Sequence, residues 1–176
     1  MKFDLLGSEV VYEGRAFNVR RDEVRTPANH TVKLDIVEHV GSISIVPVDG
    51  DGQVYFVCQY RHPAGLELLE LPAGTLEPGE PPLEAAAREI REETGMAAEN
   101  LKEIGSFYLV PGYSTELMHV FLATGLSHNP LEADADEFLS VETMSVPDAL
   151  KLAESGQLPD SKSLAALLLA RPYLNI

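Results

Sequence analysis

The segment between Leu71 and Met96 constrains this chain most, because it encodes one helix with clearly marked ends. Proline is favoured in the first turn of a helix and glycine just past the last turn, so Pro81–Pro82 and Gly95 mark its start and its end. At about 100° per residue, an apolar stripe runs along one side of this helix and consists of Leu83, Ala86, Ala87, Ile90 and Thr94. We predict that this stripe faces the protein core.

Three glutamates form another face of the same helix. Glu89, Glu92 and Glu93 are three and four residues apart, and such like-charged neighbours repel each other by roughly a few tenths of a kcal/mol per pair. One interpretation is a solvated acidic face that two neighbouring arginines partly neutralise. The other is a metal site, because Mg²⁺ combines a few carboxylates with waters and substrate phosphates. The glycine-bearing turn at Leu71–Gly74 favours the metal site, since glycine lets the backbone approach a ligand closely.

Strands are predicted on both sides of this helix. Those before residue 40 have alternating or β-branched residues and are Ser8–Val11, Phe17–Val24 and Val32–His39. Ser42–Pro47 and Val54–Tyr60 flank the turn Asp49–Gly52 and predict a hairpin. Later strands are predicted at Phe107–Val110 and Leu117–Ala123, and later helices at Val146–Glu154 and Lys162–Arg171. This order predicts an α+β fold, in which helices pack on a mixed sheet and antiparallel strands form the N-terminal part.

The composition limits the partners of the chain. Its net charge of -15 argues against binding to nucleic acid or to an anionic membrane, because both need clustered Lys and Arg. No apolar run approaches the roughly 18–20 residues of a membrane helix, and the start lacks a signal peptide, so we expect a cytoplasmic protein. The single cysteine, Cys58, is interpreted as a small hydrophobe, and the five histidines form no metal-binding pattern.

A complete motif surrounds the three glutamates. The Nudix box is Gly, five residues, Glu, seven residues and then Arg-Glu-aliphatic-any-Glu-Glu-any-Gly-aliphatic. The chain matches every position of it, with Gly74, Glu80, Arg88, Glu89, Ile90, Glu92, Glu93, Gly95 and Met96. From average residue frequencies, a chance match at a given start has a probability on the order of 10⁻⁹. The chain is therefore identified as a member of the Nudix hydrolase superfamily.

This resemblance implies a fold and a metal site. The fold would be an α/β/α sandwich with a mixed sheet, formed by residues 41–176, with residues 1–40 as a separate set of strands. Mg²⁺ or Mn²⁺ would be bound by Glu89, Glu92 and Glu93 and by the carbonyl group of Ala73. In the family, the residues that match Gly74, Glu80, Arg88 and Gly95 support the motif. Arg88 would hold a glutamate in place, and for Glu80 a capping role at the helix start and a catalytic role both stay open.

Features outside the box resemble the ADP-ribose pyrophosphatase branch of the family. Pro111 lies sixteen residues after Gly95, and Val110–Glu116 is similar to the branch's loop Ser-Pro-Gly-aromatic-Ser/Thr-Asp-Glu, with valine for the serine and threonine for the aspartate. Arg61 stands where the branch contacts the substrate diphosphate. Taken alone, Pro111 could be part of an ordinary turn and Arg61 a surface residue. Together with the box they imply substrate contacts from Arg61, Pro111 and Glu116.

The resemblance also implies a reaction and an assembly. ADP-ribose would be hydrolysed to AMP and ribose 5-phosphate, with Glu92 and Glu93 helping to position the water and Glu137 accepting its proton. Asp136 and Asp134 are the alternatives to Glu137. Residues 1–40 would exchange across a homodimer and bring Phe17, Arg15 and Arg20 to the substrate. The alternatives are another nucleoside diphosphate sugar, such as GDP-mannose, or a Nudix domain that binds a ligand without hydrolysing it.

Overall fold

The computed structural model describes residues 2–132 and 138–174 of the chain. They form two compact units. The first unit contains the residues up to Gly41 together with Tyr108–Leu117, and the second contains Ser42–Phe107 and the residues from Met118 onward.

The first unit is built on a three-stranded antiparallel sheet. Its strands are β1 (Asp4–Glu13), β2 (Asn18–Arg25) and β3 (Thr31–Glu38), in the order β1-β2-β3. The three strands predicted before residue 40 are thus present, with slightly different ends. Every residue of β1 is exposed.

The loop that contains Pro111 is attached to this sheet. The Val37 N–H donates to the Tyr113 carbonyl over 2.7 Å, and the Thr115 N–H donates to the Val37 carbonyl over 3.0 Å. The Thr115 hydroxyl also accepts from the His39 N–H at 2.9 Å. These hydrogen bonds place residues 108–117 in the same unit as β3, although some seventy residues separate them in sequence.

The second unit contains two further sheets. One has the order β10-β5-β6, formed by β5 (Gln53–Arg61), β6 (Leu66–Glu70) and β10 (Leu139–Ser145). The other has the order β7-β4-β9-β8, formed by β4 (Ser42–Pro47), β7 (Ala73–Thr75), β8 (Met96–Tyr108) and β9 (Leu117–His128). Since β4 pairs antiparallel with β7 and parallel with β9, this sheet is mixed, as predicted.

The predicted hairpin of β4 and β5 is wrong. The turn at Asp49 exists, because the Asp49 N–H donates to the Gln53 carbonyl and a single bridge joins Val48 to Val54. Beyond this bridge the two strands enter different sheets. Every residue of β4 is buried, and its two edges are occupied by β7 and β9.

The helices lie where the sequence predicts them. They are α1 (Pro82–Thr94), α2 (Val146–Glu154) and α3 (Ser161–Ala170), with a short 3₁₀ turn at Arg171–Tyr173. Gly95 ends α1 in the left-handed conformation, with φ 72°. Asp160 caps the start of α3 by accepting from the Ser163 N–H at 3.0 Å. No helix in the described part of the chain is long and apolar enough to cross a membrane.

The buried side of α1 differs from the predicted stripe. Leu83 and Ala87 are exposed, whereas Ala86 and Ile90 pack in a core cluster with Ile43 and Phe121. The buried residues of α1 are Ala85, Ala86, Glu89, Ile90 and Glu93. The buried stripe is therefore rotated toward two of the glutamates, Glu89 and Glu93.

Candidate functional site

One arginine connects three of the box carboxylates. Arg88 donates from Nε and Nη2 to the two oxygens of Glu80, each over 3.0 Å. Its Nη1 atom donates to Glu89 and to Glu92, each over 2.8 Å. Glu80 also accepts from the Glu77 N–H at 2.9 Å and does not cap α1, whose N-cap Pro81 has no side-chain cap bond. Glu80 is thus a partner of Arg88, as a structural residue of the motif would be.

This network shifts the pKa values of Glu80 and Arg88. Hydrogen bonding to Arg88 lowers the pKa of Glu80 below its ordinary value. Hydrogen bonding to Glu80 raises the pKa of Arg88, and the bonds to Glu89 and Glu92 add to this effect against the opposing effect of burial. Glu80 and Arg88 are therefore held in their charged forms over the whole neutral range.

The backbone just before the helix contacts two of the glutamates, through Ala73 and Gly74. Glu93 is only 4% exposed and accepts from the Ala73 N–H at 2.9 Å. Glu89 lies so close to Gly74 that a Cβ atom at this glycine would be 1.9 Å from its Oε1 atom. Buried carboxylates need such partners, because an unpaired buried charge is strongly unfavourable. These contacts explain why α1 turns a glutamate-bearing side inward.

The donor set has the chemistry of a site for a hard cation. As the side chains stand, the described residues include no group of three histidine, cysteine or acidic residues arranged to hold a metal ion together. However, Glu89, Glu92 and Glu93 offer only carboxylate oxygens, which are the ligands that Mg²⁺ and Mn²⁺ prefer. A cation already joins Glu89 and Glu92, namely the guanidinium group of Arg88. The residues therefore fit a divalent ion in donor type, with Arg88 as its competitor.

A second charged network surrounds Arg61. Its Nε and Nη2 atoms donate to the two oxygens of Glu70 over 2.8 and 2.6 Å, and Lys162 donates to the same carboxylate. Lys162 is also 2.9 Å from Asp160. Burial alone would raise the pKa of Glu70, but the hydrogen bonds from Arg61 and the charge of Lys162 outweigh it and lower this pKa.

Sequence reasoning identified Arg61 but missed the partners that fix it. Glu70 could have been noticed, because it is an acidic residue between two leucines just before Pro72. It is 1% exposed. Lys162 and Asp160 lie about ninety residues away in sequence, and no spacing or motif connects them with Glu70.

The remaining predicted substrate residues lie in the first unit. Phe17 is exposed, with its ring 6.3 Å from that of Tyr12. Arg15 lies in the bend between β1 and β2, and Arg20 is bound to Asp22 and Glu38. Pro111 is exposed in its turn, and Glu116 donates its N–H to the Ser114 hydroxyl at 3.1 Å. Glu137, with the alternatives Asp134 and Asp136, lies outside the described residues.

Comparison with known proteins places this site in a family. The family model of the NUDIX domain matches residues 38–167. The chain is 38% identical to the ADP-ribose pyrophosphatase of Bacillus subtilis, over 92% of this chain and 89% of that protein. It is 37% identical to the ADP-ribose pyrophosphatase of Mycobacterium tuberculosis, over 94% of this chain and 82% of that protein.

A solved structure has the same architecture. A crystal structure of an ADP compounds hydrolase superposes with a TM-score of 0.87 at 25% identity, covering 99% of this chain and 95% of that one. The chain therefore belongs to the Nudix family. This confirms the family and the α+β fold that the sequence predicts.

Proposed function

We propose that this protein hydrolyses the diphosphate bond of a nucleoside diphosphate sugar, and that ADP-ribose is its substrate, giving AMP and ribose 5-phosphate. The observation that carries the proposal is the convergence of the box glutamates. Glu89 and Glu93 are fixed against Ala73 and Gly74, and Glu92 lies beside them on Arg88. Two relatives that match more than nine-tenths of the chain, at 38% and 37% identity, are named ADP-ribose pyrophosphatase, which supports this substrate.

Glu89, Glu92 and Glu93 would hold Mg²⁺ or Mn²⁺, together with the carbonyl group of Ala73. When bound, the ion supplies positive charge that neutralises the diphosphate and lowers the pKa of a water molecule. Because Nη1 of Arg88 binds Glu89 and Glu92, it keeps these carboxylates together when they have no other cation. Glu92 and Glu93 would also orient the attacking water.

Arg61 would bind the substrate diphosphate. Among the described residues its hydrogen bonds use Nε and Nη2, both with Glu70. The Nη1 atom points to the other side of the guanidinium group, and is the donor that we assign to a phosphate oxygen. Glu70 thereby fixes the plane of Arg61 before substrate arrives.

The proton of the water would be accepted by Glu137. If Glu137 is the base, Glu137→Gln should lower kcat by roughly 10²–10⁴-fold with little effect on KM. Asp136→Asn is the matched comparison in the same segment. Severe loss in Asp136→Asn with an active Glu137→Gln would move the base by one position.

We also infer a homodimer, in which the exposed strand β1 meets a second copy of the chain. Its exposed apolar side chains are Leu5, Leu6, Val10, Val11 and Tyr12. A concentration of large exposed apolar side chains on one element is typical of interfaces. Phe17, Arg15, Arg20, Pro111 and Glu116 are retained as proposed substrate contacts, and a cytoplasmic location also stays a prediction.

A substrate screen tests the proposed reaction. ADP-ribose, GDP-mannose and other nucleoside diphosphate sugars are each incubated with the protein and Mg²⁺ or Mn²⁺, and the products are separated by chromatography. We expect AMP from ADP-ribose, with the largest kcat/KM of the set. A larger kcat/KM for GDP-mannose would show that ADP-ribose is not the preferred substrate, and the proposed hydrolysis reaction would still hold. Binding without any product would favour the non-hydrolytic alternative.

A further inference from the structure

The backbone segment Leu71–Gly74 forms one wall of the glutamate cluster. The Ala73 N–H is bonded to Glu93, and Gly74 is in close contact with Glu89. A shift of this segment by even part of an ångström would therefore move two carboxylates. The residues that bind this segment on the side away from the glutamates therefore affect the positions of the two carboxylates.

A serine from the third helix holds this segment at its first residue. The Leu71 N–H donates to the hydroxyl oxygen of Ser163 over 2.6 Å, across 92 residues of sequence. Leu71 and Ser163 are both fully buried, so water cannot replace this bond. A neighbouring bond, from the Ile45 N–H to the Pro72 carbonyl at 2.8 Å, joins the next residue to β4.

The direction of the serine hydroxyl is also fixed. Because its oxygen accepts from Leu71, its own proton must be donated elsewhere, and it is donated to Asp160. A carboxylate only accepts hydrogen bonds, so Asp160 cannot reverse this orientation. Asp160 is at the same time the N-cap of α3, where it accepts from the Ser163 N–H.

The residue just before Leu71 is tied to the same helix start. Glu70 binds Lys162, and Lys162 lies 2.9 Å from Asp160. Glu70 and Leu71, which are consecutive, are thus attached to Lys162 and Ser163, two consecutive residues of α3. The Ser163 hydroxyl accepts from Leu71 and donates to Asp160, so its link to Glu89 and Glu93 runs through the backbone of Leu71–Gly74.

We propose that Ser163 is a positioning residue of the metal site, which holds Leu71–Gly74 so that Glu89 and Glu93 are correctly placed. This inference rests on the proposed function, because it assumes that these glutamates bind a divalent ion. Ser163 is not a catalytic residue, since it acts only through Leu71. Partners behind the ligands of a metal commonly change affinity by about 10–100-fold when they are lost.

Mn²⁺ binding without substrate is the test. In Ser163→Ala the Leu71 N–H loses its acceptor, and we expect the Kd for Mn²⁺, measured from the electron paramagnetic resonance of free Mn²⁺, to rise by about tenfold or more. Ser163→Cys keeps the bulk of the side chain but has a poor acceptor, and it should show a rise in the same direction. Ser163→Cys also provides the test of Mn²⁺ binding if Ser163→Ala does not fold.

Two controls separate positioning from general destabilisation. Ser161→Ala makes the same change at an exposed serine of the same helix turn. Val54→Ala removes fully buried apolar volume from β5, three residues from Val57, where the pairing of β5 with β6 ends. We expect both controls to bind Mn²⁺ like the wild type. A loss in Val54→Ala as large as in Ser163→Ala, or wild-type affinity in both Ser163 variants, would overturn the role of Ser163.

The outcome for the wild type distinguishes the two proposals. Measurable Mn²⁺ affinity with no effect of Ser163 overturns the inference and leaves the proposed function intact. A wild-type protein that binds no Mn²⁺ and releases no AMP would refute the proposed function, and the inference with it.

Discussion

Arg88 offsets much of the negative charge that the acidic residues bring to the Nudix box. The spacing of Glu89, Glu92 and Glu93 predicts a shared face, and they do lie on neighbouring sides of α1. What the spacing could not show is that one guanidinium group would bind Glu80, Glu89 and Glu92 together. The like-charge repulsion on this helix is thereby largely offset before any metal binds.

The role of Glu92 as a ligand can be tested by changing this one side chain. Glu92→Gln should lower kcat by about 10²-fold or more, because a neutral amide is a poor ligand for a divalent ion and supplies no charge. The amide oxygen can still accept from Arg88, so the midpoint of thermal unfolding should change little. Steady-state kinetics at saturating Mg²⁺ and a thermal melt provide the two measurements.

The matched control for Glu92 lies on the same helix. Glu84 is exposed in the first turn of α1, and Glu84→Gln makes the same chemical change away from the cluster. It should keep nearly the full kcat. Equal activity of the two variants would remove Glu92 from the proposed set of ligands.

The close contact between strand β7 and helix α1 can be tested by a substitution at Gly74. A methyl group at Gly74 would meet Glu89 at 1.9 Å, a distance that forces one of the two elements to move. Gly74→Ala should therefore lower kcat by roughly 10²-fold, the size of loss that a displacement of about 1 Å can cause. Gly50→Ala is the control, because its Cβ meets nothing within 4 Å. Comparable kcat values for both would show that this close contact is not needed.

Elements were predictable where their ends carry their own chemistry. Pro81 and Gly95 delimit α1, and Asp160 caps α3, so local sequence sufficed. The long strand β8 was predicted only near its end, because its polar and charged residues hide the alternation. The separation of β4 from β5 depends on which strands occupy the edges of β4, which is information from distant parts of the chain.

Part of the candidate site could also be predicted from the sequence, and part could not. The box glutamates were predictable because a motif fixes their spacing, but their burial was not, because it depends on Ala73 and Gly74 as partners. A hydrophobic stripe is calculated from side chains alone, and so it placed the exposed Leu83 in the core instead of Glu93. Ser163 had no sequence pattern to reveal it.

At the scale of the whole molecule, Glu70 links stability to pH. Its pKa is lowered in the folded protein from an ordinary value of 4.5, so its contribution to stability is present above about pH 4.5 and is lost as the pH falls through the lower folded value. Glu70→Gln should reduce the free energy of unfolding at pH 7 by about 3 kcal/mol. We use the lower end of the range of about 3–5 kcal/mol for breaking a buried ion pair, because the Arg61 side chain is 40% exposed and therefore partly solvated.

Urea unfolding at several pH values measures this effect. The difference between wild type and Glu70→Gln should shrink as the pH is lowered below about 4.5, because protonated Glu70 resembles glutamine. Glu67→Gln on the same strand is the exposed control and should differ little from the wild type at any pH. A difference at Glu70 that does not depend on pH would contradict the charge-based explanation.

The assembly provides the last prediction. Light scattering at micromolar concentration should give twice the chain mass of 19.2 kDa. Val10→Glu places a charge on the exposed strand β1 and should shift the protein toward the monomer, whereas Val141→Glu, at an exposed valine of β10, should not. A wild-type monomer with full activity would refute the proposed dimer.

The bonds of Arg88 to three carboxylates bear on the order of events in the life of the molecule. Some small metal-binding domains remain unfolded until their ion arrives, because nothing else compensates their ligands. Here the compensating charge is part of the chain and is present as soon as synthesis ends. Because Arg88 compensates Glu89 and Glu92 in the absence of an ion, we expect the polypeptide to reach its fold first and to bind its ion later. Scarcity of the metal would then remove the proposed activity and leave the fold in place.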